Sequence, residues 1–119
     1  MALAFGTICL GLLVHLRGTV LSPVVRDVSG DALWAMMIAW FTGAHAPRAT
    51  VASRGVAAYV VCAAVELSQV FHAPTLDAVR ATTAGHLVLG SGFDPRDLVA
   101  YAFGVGTAVG IELLARRSR

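Results

Sequence analysis

Residues 55–71 form an apolar run long enough to enter a lipid bilayer, and a carboxylate, Glu66, lies near its far end. A charged side chain at the centre of a membrane helix costs about 2.5–3.5 kcal/mol on insertion scales, so it is retained only with a partner or a purpose. On a helical wheel Tyr59, Cys62, Glu66 and Gln69 fall within about 80° of one another at 100° per residue. Such a helix has one polar stripe, which should face other protein rather than lipid. Whatever this chain folds into has to bring polar groups to Glu66 and Gln69.

The rest of the chain repeats the apolar pattern. Of its 119 residues 57% are hydrophobic and 13% charged, against about 45–50% and about 25% in soluble domains. No linker divides it, and the length suits a single integral membrane domain over residues 1–119. The net charge of +2, from nine arginines and no lysine, is too small and too dispersed for a nucleic-acid surface. Cys9 and Cys62 sit in apolar runs without C-x-x-C spacing and read as small hydrophobes. His15, His45, His72 and His86 follow no metal-ligand spacing, so neither a metal nor another cofactor is expected.

Residues 2–16 are apolar and stopped by Arg17, without the basic n-region or cleavage site of a secretory signal. They are short for a span, which usually takes about 20 residues, and would lengthen by continuing to residue 21 or from an upstream start. Ser29-Gly30-Asp31 reads as the start of a second helix, 31–46, with Trp34 and Trp40 suited to the membrane interfaces and Pro47 as its stop. The third span is 54–71, broken by His72-Ala73-Pro74. Residues 75–89 read as one amphipathic helix with Asp77 and Arg80 a turn apart, too short and polar to cross, hence interfacial or re-entrant. Gly90 ends it. Asp94 and Pro95 announce the last span, 97–115. The fold class expected is an all-α membrane protein: four transmembrane helices in an up-down bundle, with the short helix before the last span.

One side of that bundle holds Arg48, Arg54, Arg116, Arg117 and Arg119 against Glu112 alone, while the other sets four arginines against six acids. This puts both termini in the cytoplasm of a multi-pass cell-membrane protein. Asp31, Glu66, Gln69, Asp97 and Tyr101 then lie at one membrane face, roofed by the helix of Asp77 and Arg80. A polar pocket near the outer interface is expected, with Arg80 or Arg96 compensating its carboxylates. Gly104 and Ala108 share the face of Asp97 and Tyr101, and Gly106-x-x-x-Gly110 marks a second small-residue face for helix packing.

Gly30-Asp31-Ala-Leu-Trp34-Ala35, Glu66-x-x-Gln69, Ala73-Pro74-x-Leu76-Asp77-x-x-Arg80, Leu89-Gly90-x-Gly92-Phe93 and Asp97-x-x-x-Tyr101-x-x-Gly104 follow one another in order. Together they resemble a small bacterial membrane family, domain of unknown function 2809, and the chain is similar to the VanZ-like proteins. The likeness covers nearly the whole chain. Thr75 stands where the family has an aromatic residue, and Tyr101 where the VanZ-like group has Asn. The resemblance implies a multi-pass envelope protein and carries no established activity.

Plainer roles compete for each of these residues. Asp31, Asp94 and Asp97 also read as helix caps or first-turn acids, Asp77–Arg80 as an intrahelical pair, His72 and His86 as interfacial residues, and Glu66 as a structural hydrogen-bond acceptor for Gln69, Tyr101 or an arginine. Three function classes follow. The preferred one is a binding protein whose pocket takes an amphipathic ligand, such as a membrane lipid or an envelope-precursor head group. A second is an accessory subunit that packs through Gly104, Gly106, Ala108 and Gly110 against a membrane partner or a second copy. The third is a membrane-embedded enzyme with Glu66 as acid or base beside Asp31 or Asp97. No nucleophile or metal motif accompanies those carboxylates, so the non-enzymatic classes rank above it.

Overall fold

Two of the helix starts are set where a side-chain acceptor meets a proline. The computed structural model describes residues 2–17, 20–90 and 92–119, and its elements are all helices: α1 Ala2–Arg17, α2 Pro23–His45, α3 Val51–Ser68, α4 Pro74–Arg80, α5 Thr83–Leu89 and α6 Pro95–Arg117. The continuation of α1 toward residue 21 passes through 18–19, outside the described residues. α2 begins at Pro23 and not at Asp31. Ser22 Oγ accepts from the Val25 N–H at 3.3 Å and Pro23 occupies the first turn, a start that Ser29-Gly30 does not override, because a helical Gly costs only about 1 kcal/mol. Asp31 is therefore an interior residue of α2 and not a cap. The helix stops before Pro47, which pushes Ala46 out of the helical region (φ −123°, ψ 59°).

α3 is shifted toward the N-terminus of its expected 54–71. Thr50 Oγ1 caps it by accepting from the Ser53 N–H at 3.1 Å, and its end tightens as Gln69, Val70 and Phe71 N–H groups donate to carbonyls three residues back. Glu66 thus sits in the final turn. Residues 75–89 are not one helix. The chain breaks at 81–82, where Thr82 Oγ1 accepts from the Gly85 N–H at 3.0 Å and starts α5, a side-chain bond that competes with helix continuation. Gly90 then turns the chain at φ 66°, and a side chain there would also meet the Gln69 carboxamide. α6 starts on Asp94, whose Oδ1 accepts from the Arg96 N–H at 2.9 Å, and on Pro95, so it is longer at both ends than 97–115.

α2 lies in the middle, packed on α1, α3 and α6, and α6 also packs on α3. Arg54 at the start of α3 meets Gly43 near the end of α2 and Glu112 near the end of α6, whereas Glu66 at the end of α3 meets Tyr101 near the start of α6. α2 and α6 therefore run in the same direction, and α3 runs against both. The core is made of small side chains: Ala35, Ala39, Ala58, Cys62 and Ala108, with Tyr101 and Val105. α2 and α6 approach so closely that a Cβ on Gly104 would strike the Ala32 carbonyl, and α3 and α6 so closely that one on Gly55 would lie 2.7 Å from a Val109 methyl. Large apolar side chains sit outside instead, with Leu3, Phe5, Val56, Val60, Phe103 and Leu114 more than half exposed. That reverses the usual order, in which Leu, Phe and Val fill the interior.

Candidate functional site

Three helix ends meet at Glu66. Its carboxylate is fully buried (0% exposed), and both oxygens are used. Oε2 accepts from Gln69 Nε2 at 3.0 Å and from the Tyr101 hydroxyl at 3.1 Å, and Oε1 accepts from the Asp94 backbone N–H at 2.7 Å. Gln69 Oε1 accepts in turn from the Gly92 N–H at 3.0 Å. Glu66 and Gln69 thereby tie Gly92 and Asp94, and with them the start of α6, to the end of α3.

Neither Arg80 nor Arg96 reaches Glu66, contrary to the expected compensation. Arg80 is drawn to the bare carbonyls at the end of α3, where helix geometry leaves acceptors without partners. Its Nη1 and Nη2 donate to Phe71 O and Ser68 O at 2.7 Å each, and Nη1 reaches Asp77 at 3.3 Å. Arg96 folds back on Asp94, with Nη2 donating to Oδ2 at 2.7 Å. This guanidinium, with the Arg96 backbone N–H, holds the Asp94 carboxyl below the ordinary carboxylate range.

Asp31 and Asp97 lie close to each other and near Glu66. Among the described residues no N–H or O–H group donates to either. Both border an open groove of about 640 Å³ between α1, α2 and the start of α6. Gln69 and Tyr101 also reach its wall, while Glu66 lies behind it. Its apolar lining includes Ile8 and Leu12 of α1 and Leu33 and Met37 of α2. Asp77 and Arg80 are elsewhere: they line a second cavity of about 580 Å³ together with His15, His72 and His86. Sequence spacing carries no signal for these histidines, because they come from α1, a turn and α5. Gly104 and Ala108 are buried between helices, whereas Gly106 and Gly110 have no neighbour within 4 Å of an added Cβ. Among the described residues no three His, Cys, Asp or Glu side chains are placed to hold a metal ion.

At the far end of the bundle, buried Arg54 donates to Glu112, to Gly43 O at 3.3 Å and to Thr50 O at 3.4 Å, and Arg116 closes on Glu112 at 2.8 Å.

These features define an all-helical protein with a buried polar cluster at one end, in which α3 and α6 are long and apolar enough to cross a membrane. The chain belongs to the family described as Protein of unknown function (DUF2809), whose model matches residues 20–105, a stretch that contains every residue from Asp31 to Tyr101 discussed above. No solved structure matches it.

Proposed function

We propose that the chain is one multi-pass membrane domain of the bacterial cell envelope, with α1, α2, α3 and α6 crossing the bilayer, both termini in the cytoplasm and α4–α5 at the outer interface. Large apolar side chains on the outward faces of the long helices support this reading. So does length: α2 and α6, of 23 residues each, rise about 34 Å at 1.5 Å per residue, against a hydrocarbon core of about 30 Å. α1, of 16 residues, rises about 24 Å, within what local bilayer thinning accommodates.

The groove is the binding site for an amphipathic ligand, a lipid or envelope-precursor head group with its apolar tail. One observation carries this: the groove joins the apolar wall of α1 and α2 to Asp31 and Asp97, which lack protein donors. In this reading Asp31 and Asp97 meet the head group, while Gln69 and Tyr101 line its base. Glu66, with both oxygens occupied, is a positioning residue. Asp77 and Arg80 hold the α4–α5 roof against α3. Native mass spectrometry of protein extracted in mild detergent without added lipid tests the idea. Wild type should retain an adduct that the Asp31→Ala/Asp97→Ala variant loses at unchanged helical circular dichroism. Equal retention by the variant would sink the groove reading.

A second reading, an accessory subunit, is favoured by the open Gly106 and Gly110 face. Loss of a cross-linked partner band in Gly106→Leu, with the adduct kept, would select it.

A further inference from the structure

The second cavity is walled by donors. His15 comes from α1, His72 from the turn after α3, Arg80 from α4, and Thr83 and His86 from α5. Its one carboxylate, Asp77, is already engaged: Arg80 Nη1 donates to Oδ1 at 3.3 Å, and His72 Nδ1 meets the same oxygen at 3.3 Å. Arg80 is built in, with a side chain 5% exposed, two carbonyl acceptors at 2.7 Å and a buried Nε that has no acceptor in the protein. It fixes Asp77, and Asp77 fixes the His72 ring, leaving Nε2 on the side away from the pair. The side chains of His15, His86 and Thr83 have no hydrogen-bond partner among the described residues. Arg80 and Asp77 cancel in charge, so each proton taken up by an imidazole adds positive charge that no cavity carboxylate neutralises. Several donors converging on one open space, with charge available and Asp77 as the only lining carboxylate among the described residues, suit an anion with several acceptor oxygens.

We propose that this cavity is an oxyanion site that takes the phosphate group of a phosphomonoester or phosphodiester between His15, His72 and His86. It is distinct from the carboxylate groove, although His15 and His86 border both. Histidine is the side chain that gains charge as pH falls through the neutral range, so occupancy rises on acidification. The groups facing the rings are Asp77 and Arg80 from α4 on the cavity side. On the groove side the facing groups are Arg26 beside Asp27, Arg96 paired with Asp94, and the Asp31 and Asp97 carboxyls.

The test is calorimetric titration of the full chain in maltoside detergent with inorganic phosphate and, separately, with lyso-phosphatidylglycerol. Saturable binding of at least one is expected at about pH 6 and should weaken about tenfold at about pH 8. It should weaken as much in His72→Gln/His86→Gln, whose wild-type side chains are exposed and whose helical circular dichroism should be unchanged. Binding of inorganic phosphate identifies a soluble source, and binding of the lysolipid alone a lipid-borne one. Binding of neither, equal affinity at the two pH values, or unaltered binding by the double variant overturns the proposal. Asp31→Asn/Asp97→Asn should retain phosphate binding, which separates failure of this site from failure of the groove.

Discussion

At one end of the bundle Arg54 is buried against Glu112, with Arg116 completing the cluster from outside. At the other Glu66 is buried against an amide, a phenol and a backbone N–H, with no cation on it among the described residues, and two more carboxylates stand nearby. The first end pairs its buried guanidinium directly with a carboxylate and ties the starts and ends of three helices together. The second satisfies hydrogen bonds while leaving its negative charge uncancelled, and it is there that the groove opens. An arrangement used only to hold helices would resemble the first. The uncancelled charge at the second is what a ligand would complete.

Between the two ends lies the α2–α6 contact on which both depend. Gly104→Ala should destabilise by about 3 kcal/mol or more, since the new Cβ meets the Ala32 backbone and neither helix can yield without losing the core. Gly106→Ala, facing outward on the same helix, should leave the melting temperature unchanged or slightly raised, as Ala favours a helix over Gly by about 1 kcal/mol. Equal melting of the two variants in detergent would mean that this contact is wrong. At the paired end, Glu112→Ala should cost about 3 kcal/mol, because it leaves the Arg54 charge buried without a counter-ion.

Glu66→Ala should cost less, about 2 kcal/mol. It orphans three neutral donors but also removes a carboxylate that was expensive to bury. Glu66→Gln should recover about half of that, since the amide oxygen still serves the Asp94 N–H and the Tyr101 hydroxyl can turn to accept. Should Glu66→Ala prove the more damaging of the two deletions in chemical denaturation, the contrast between the ends collapses. The smallest effect is expected of Asp31→Asn, within about 0.5 kcal/mol of wild type or slightly stabilising, because it removes an acid beside Asp97 and Glu66 while its carboxamide can donate to the Asp97 carboxylate. Its measurable consequence should be on ligand retention alone.

Periodicity and cap chemistry are legible in the residues alone. The α3 stripe follows from spacing: Cys62, Glu66 and Gln69 are all buried. Asp94-Pro95 reads as a helix start, because cap and proline act within a few residues of themselves. The same chemistry stands at Ser22-Pro23, but Ser29-Gly30-Asp31 looks more like a boundary in the sequence, although a glycine inside a packed helix is only a modest penalty. The break at 81–82 leaves no clear sequence signal, because a threonine cap forms only where the chain has room to turn. The partners of Glu66 are only partly legible. Tyr101 can be anticipated from its face of α6, but the backbone N–H of Asp94 is a group every residue except proline has, and no sequence pattern distinguishes it. Charge alone favours an arginine beside a buried acid, yet Arg80 meets the carbonyls that α3 leaves bare.

By itself the sequence determined the helical class, the apolar character of the long segments, the cap at Asp94 and the inward polar stripe of α3, all of which depend on composition or on neighbours within a turn or two. Only the tertiary structure decided which donors satisfy Glu66, that Asp31 and Asp97 border a groove with no described N–H or O–H group donating to them, and that His15, His72 and His86 share a cavity. These depend on where separate helices end relative to one another, and that is set by how closely small residues such as Gly104 let the helices approach.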